Sequence, residues 1–169
     1  MVDLKKLFKG DHPLLSDPGF WVVAGHGMSG KPLHRVPIQG TMQITHEDGK
    51  IVNLGEMSVV SRSSPNTFQT SYVLSLTEDG SVLDFFQSNE PVDDLRGKVV
   101  VFDDRLVSTY VSGDGSLTGF EVLHRLGDYR YAATGSLLGN GELVNLWKLD
   151  LIRPASDELQ EQRKTPAGV

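Results

Sequence analysis

"DPGFWVVAGHGMSG", residues 17–30, sets Trp21 two places after Gly19 and then runs an apolar segment into Gly25, Gly27 and Gly30. Glycines at that density have two uses. They cradle a phosphate where a strand hands over to a helix, with backbone amides facing the anion. Alternatively, they let a strand coil tightly where a Cβ would clash. The continuation, "KPLHRVPIQG" at 31–40, holds two prolines and then alternates, so no helix starts there, and the Rossmann spacing is absent. The strand-bending reading follows, and with it a strongly coiled sheet.

Working outward, turn signals punctuate the rest of the chain: "HEDGK" at 46–50, "TEDGS" at 77–81, "SGDGS" at 112–116, "LGDY" at 126–129 and "LGNGE" at 138–142. Asp-Gly and Asn-Gly supply the positive φ angles of tight hairpins. Between them the predicted strands are roughly 20–28, 34–46, 51–62, 66–77, 81–88, 97–103, 105–112, 116–125, 129–138 and 142–153. Period-two alternation puts Val36, Ile38, Met42 and Ile44 on one face of the second strand. It groups Phe68, Tyr72, Leu74 and Leu76 in the fourth, and Leu143, Trp147, Leu149 and Leu151 in the last. An open sheet of this size exposes two edges, whereas a meander closes simply by pairing its first and last strands. The expected fold is all-β, a closed antiparallel up-and-down barrel of about ten strands. A short N-terminal helix precedes it, carried by Leu4, Leu7 and Phe8 ahead of Gly10 and Pro13.

The chain has 169 residues, enough for one domain with a substantial core. Residues 1–153 make the barrel domain. Residues 154–169 read as a polar tail, frayed or forming a short helix over Asp157–Arg163. A net charge of −6 without a Lys/Arg cluster argues against nucleic acid and anionic membranes as partners. The absence of cysteine excludes disulfides, thiolate chemistry and Cys-based zinc sites. No signal peptide and no apolar run long enough for a membrane helix is visible, so a cytoplasmic location is expected.

Gly19-Phe20-Trp21 has the form Gly-X-Trp, after a short helix and at the start of the first strand, and Arg153 in "LDLIRP" stands at the end of the last. Over residues 1–153 this resembles the calycin barrels: the lipocalins, the fatty-acid-binding proteins and the ten-stranded nitrobindin-like branch. The resemblance implies that Trp21 closes the barrel floor and packs under Arg153, a guanidinium on an indole. The chain departs from these families in lacking the lipocalin cysteines. Residues 28–34 are also too short for the helical lid of a fatty-acid-binding protein. Neither haem nor a fatty acid is therefore inherited with the architecture.

Chemistry-bearing patterns are sparse. Ser136 in "ATGSLLG" lacks a nucleophile elbow. Asp103, Asp104 and Asp114 fall at turns, where Asp makes local hydrogen bonds. Glu121 and Arg125 share a strand face and read as a solvated ladder. No histidine spacing suits a metal, and no catalytic residue is assigned. What stands out is polar groups on otherwise apolar faces. A ten-strand barrel encloses more volume than its side chains fill easily, and a few hydroxyls and amides in an apolar lining orient a small molecule. The expected lining is Met42, Tyr72, Tyr110, Tyr131, Asn145 and Trp147. The leading reading is a binding protein for a small, largely apolar ligand. Its alternatives are a haem protein with His26, His34, His46 or His124 as axial ligand, and an isomerase, cyclase or hydrolase using a cavity Tyr or His. Whether the chain forms a homodimer is left open.

Overall fold

A strand reverses tightly only where its backbone can enter the left-handed region, and the chain does so where Asp-Gly and Asn-Gly predict it. Asp48 and Gly49 have φ of 49° and 78°, and Asn140 and Gly141 have 50° and 83°. In a computed structural model, which describes residues 12–60, 65–77, 82–88 and 94–155, the chain forms ten strands. These are β1 (Gly19–Ser29), β2 (His34–Glu47), β3 (Lys50–Val60), β4 (Pro65–Leu76) and β5 (Val82–Ser88). They continue as β6 (Leu95–Phe102), β7 (Arg105–Ser112), β8 (Leu117–Gly127), β9 (Arg130–Gly139) and β10 (Glu142–Ile152). Each pairs antiparallel with its chain neighbours, and β1 pairs with β10, with Val23 opposite Leu151 and Gly27 opposite Trp147. The barrel is closed.

Gly25 shows why closure needs the opening motif. It faces Leu149 across the β1–β10 seam, where a Cβ would collide with the backbone of Lys148 and Leu149. The bend reading of these glycines therefore holds at the seam itself.

Strand positions follow the sequence closely, with two instructive departures. β6 starts at Leu95 rather than Gly97, because Leu95 turns a buried side chain inward opposite Ser112. In β10 a bulge lies between Leu143 and Asn145, so Leu143 leaves the interior face that the alternation gave it and stands exposed. The helix, α1 (Pro13–Ser16), is one turn long and has Pro13 at its first position. Leu4, Leu7 and Phe8, the "EDGS" of the second turn signal and the tail from Ser156 on lie outside the described residues.

The core is lopsided. Leu14 and Leu15 of α1 pack with Trp21, Val23, Ile44, Ile51, Leu74, Leu83, Leu106, Tyr131 and Leu151. This cluster plugs one end of the barrel and leaves the space above it less completely filled.

Candidate functional site

The floor is built first, because it decides where the interior begins. His12, fully buried at the N-cap of α1, places Nε2 2.9 Å from the carbonyl oxygen of Asp103, in the β6–β7 turn. A carbonyl can only accept, so Nε2 carries the proton and Nδ1 accepts from the Tyr131 hydroxyl at 3.3 Å. His46 Nε2 likewise donates to the Leu15 carbonyl at 2.8 Å, tying α1 to β2. Tyr131 is itself completely buried, its ring against the edge of Trp21 at 5.8 Å. Burial pushes its hydroxyl pKa up to about 12.

Arg153 and Trp21 both sit at this end, but not as the resemblance implies. The guanidinium lies over Tyr129, 5.5 Å from the ring centroid, and donates to the carbonyls of Asp17 and Pro18. It covers Gly19, where a Cβ would fall 2.6 Å from its central carbon. The glycine of Gly-X-Trp thus makes room for the arginine, while the aromatic partner of Trp21 is Tyr131.

Above the floor runs a cavity of about 390 Å³, bounded below by Leu14 and Leu15 and extending toward Gly27, Met28, Gln87 and Leu146. Most of its wall is apolar, including Val23, Val36, Ile38, Met57, Phe68, Phe85 and Leu149. Five of the six residues expected in the lining are there: Met42, Tyr72, Tyr110, Asn145 and Trp147. Tyr131 shares their strand face but belongs to the packed floor beneath them. Its parity is right and its level is not.

The polar centre of the cavity is Glu121, and here the expectation of a solvated ladder is overturned. Glu121 points inward from β8, between Ser108 and Gly135 on the flanking strands. Trp147 Nε1 donates to its Oε2 at 2.6 Å. The indole reaches Glu121 from β10 by crossing Gly135 of β9, where any Cβ would strike the indole. Tyr110 repeats the arrangement: its ring lies on Gly119, and its hydroxyl is 3.5 Å from the Ser136 carbonyl. Arg125 does not accompany Glu121; it pairs with Asp128 at the β8–β9 turn at 2.7 Å.

Electrostatics follow from burial. Desolvation raises the Glu121 pKa above the usual carboxylate range, and the Trp147 hydrogen bond opposes this only partly. Tyr72 and Tyr110 are pushed well above the usual tyrosine value, first by burial and then by the Glu121 charge. The Asn53 amide beside Tyr72 acts the other way. Asn53 is fully buried in the lining, opposite Tyr72; its Nδ2 also reaches the Met42 sulfur, at 3.7 Å, and its Oδ1 has no partner. Rings of Tyr72, Phe85 and Tyr110 follow one another at 5.7 and 5.8 Å, an aromatic stripe along one wall.

No histidine lines this cavity among the described residues. His46 is committed to the floor, His34 is exposed beside the Pro32 carbonyl, and His124 pairs with Asp104 at 2.8 Å on the surface. His26 lies opposite Lys148 and Pro37, on the strand face turned away from the interior. Among the described residues, no three His, Asp or Glu side chains converge as a metal site. Asp114 behaves as a turn residue, accepting from the hydroxyls of Ser112 and Ser116 and the Ser116 amide, which lowers its pKa to about 2. No helix among the described residues is long and apolar enough to cross a membrane.

Glu121 and Asn53 are the residues that the sequence did not give up. Glu121 shares parity with Leu117 and Leu123, which points it inward, but Phe120 and Val122 on the other face made the two faces of β8 look alike.

No protein-family model matches the chain, and no curated protein matches it in sequence. Its architecture is similar to that of an S-type phycobiliprotein lyase from Guillardia theta, with a TM-score of 0.65 and 12% identity over 92% of this chain and 94% of that one. It is equally similar to Rv2717c from M. tuberculosis, with a TM-score of 0.65 and 9% identity over 92% and 99% of the two chains. At such identities the likeness is one of fold. What is shared is the closed ten-strand antiparallel barrel.

Proposed function

We propose that this barrel is a binding protein that holds a small, largely apolar molecule inside its wall. The observation that carries the reading is the cavity: about 390 Å³, apolar over most of its lining, with a hydrogen-bonded Glu121–Trp147 pair set into it. That combination of greasy wall and a few fixed polar groups is what orients a small ligand. The likeness in fold to a phycobiliprotein lyase is in keeping with a barrel that binds a small molecule.

Nothing in the lining favours the histidine-ligated haem reading, because none of the described histidines borders the cavity. Proton-transfer catalysis has one observation in its favour: a buried carboxyl of raised pKa, near two tyrosine hydroxyls, is how a general acid is prepared. The binding reading needs no substrate geometry beyond the cavity and is preferred.

The neutral dye Nile red tests it. Its emission is expected to shift to the blue and intensify at a stoichiometry of one, while Trp147 is quenched. In Trp147→Phe that quenching disappears and the fully buried Trp21 stays silent. A dye that stays in water, with unchanged indole emission, rules the reading out.

A further inference from the structure

The chemistry of the cavity narrows the ligand further, on the footing that the interior is a binding site. Glu121 is its single charged lining residue, and no Lys, Arg or His is found beside it among the described residues. The Trp147 indole occupies Oε2, whereas Oε1 has no hydrogen bond within the protein and borders the cavity. Asn53 Oδ1, fully buried in the same wall, is a second acceptor without a donor. A buried acceptor left unpaired, as Asn53 Oδ1 is, is costly, and a ligand that brings it a donor recovers that cost, while Glu121 Oε1 offers a charged acceptor to the same ligand. A ligand carboxylate finds the opposite: a like charge and, among the described residues, no cation in the wall.

We infer that the cavity selects a flat aromatic or conjugated molecule carrying an N–H donor, uncharged or cationic, which docks on Glu121 Oε1, and that it rejects anionic lipids and carboxylates. Flatness is set by the Tyr72–Phe85–Tyr110 stripe, which, with the Trp147 indole elsewhere in the lining, offers ring surfaces for offset stacking. The donor is set by Glu121, since a charge-assisted hydrogen bond within a largely apolar wall discriminates strongly.

Three probes with one skeleton separate this assignment from the cavity reading beneath it: anthracene, 1-aminoanthracene and anthracene-1-carboxylate, titrated against the full chain by fluorescence. The amine is expected to bind about tenfold or more tighter than the carboxylate, with anthracene between them. Glu121→Gln, which still accepts from Trp147, should cost the amine about tenfold and improve the carboxylate, leaving anthracene unchanged as the control for an intact cavity. A carboxylate that binds as tightly as the amine, or an amine indifferent to Glu121→Gln while anthracene still binds, overturns the ligand assignment and leaves the cavity reading standing. If none of the three binds, both fall together.

Discussion

At Glu121 the protein keeps a carboxyl where it raises the free energy of the empty fold. A barrel selected for stability alone would place an apolar side chain between Ser108 and Gly135, and would not clear Gly135 so that an indole could reach an acid. The pH dependence exposes this arrangement. The folded-state pKa of Glu121 lies above its ordinary value of 4.5, so the fold binds this proton more tightly than the unfolded chain does. The contribution is complete below the ordinary value and is lost as pH rises through the raised one. Glu121→Gln carries no such proton. At pH 8 it is expected to be more stable than the parent, with the gap closing as the pH falls toward the ordinary value. Urea denaturation at several pH values measures the gap; a difference independent of pH would show that Glu121 is not desolvated.

The one-turn helix α1 has too few residues to be stable by its own hydrogen bonds, so tertiary contacts must hold it. They are of two kinds. His12 and His46 fix its backbone to the β6–β7 turn and to β2, while Leu14 and Leu15 fill the barrel end above Trp21 and Tyr131. Truncating Leu14, which is 2% exposed, to Ala is expected to cost about 2–4 kcal/mol. It should also admit acrylamide to Trp21, read as quenching in a Trp147→Phe background. A loss below about 1 kcal/mol with Trp21 still protected would mean that α1 is not the plug. The elements also show what could be read in advance. Turns written as Asp-Gly or Asn-Gly fix hairpins locally, so strand order and nearly every strand end were visible. Tyr131 and Tyr110 share parity, yet one lies in the floor and the other in the wall. Height along a barrel depends on the stagger between strands, which no local pattern encodes. The bulge at Leu143 and the inward turn of Glu121 were hidden for a related reason: β8 and β10 carry apolar residues on both faces, so alternation loses its contrast.

Across the whole molecule, closure and emptiness are linked. Zipping β1 to β10 removes both sheet edges, and ten strands then enclose a lumen too wide for the side chains at its upper levels to fill. Packing forgone around an unfilled interior costs about 24 cal/mol per Å³ in apolar cores, so a cavity of this size represents several kcal/mol. A wall residue enlarged into that space should therefore stabilise the empty protein while blocking entry. Thr70 of β4 suits the purpose, because it is half-buried and lines the cavity, its hydroxyl lying over Gly55 of β3. Thr70→Phe is expected to raise the midpoint of thermal unfolding and to lower Nile red affinity at least about tenfold. The pairing of the two effects is the point. A stabilised variant that still binds dye would place the dye outside the lumen. A destabilised variant without binding would show that the wall has no slack at Thr70, and that the interior is already packed at that level.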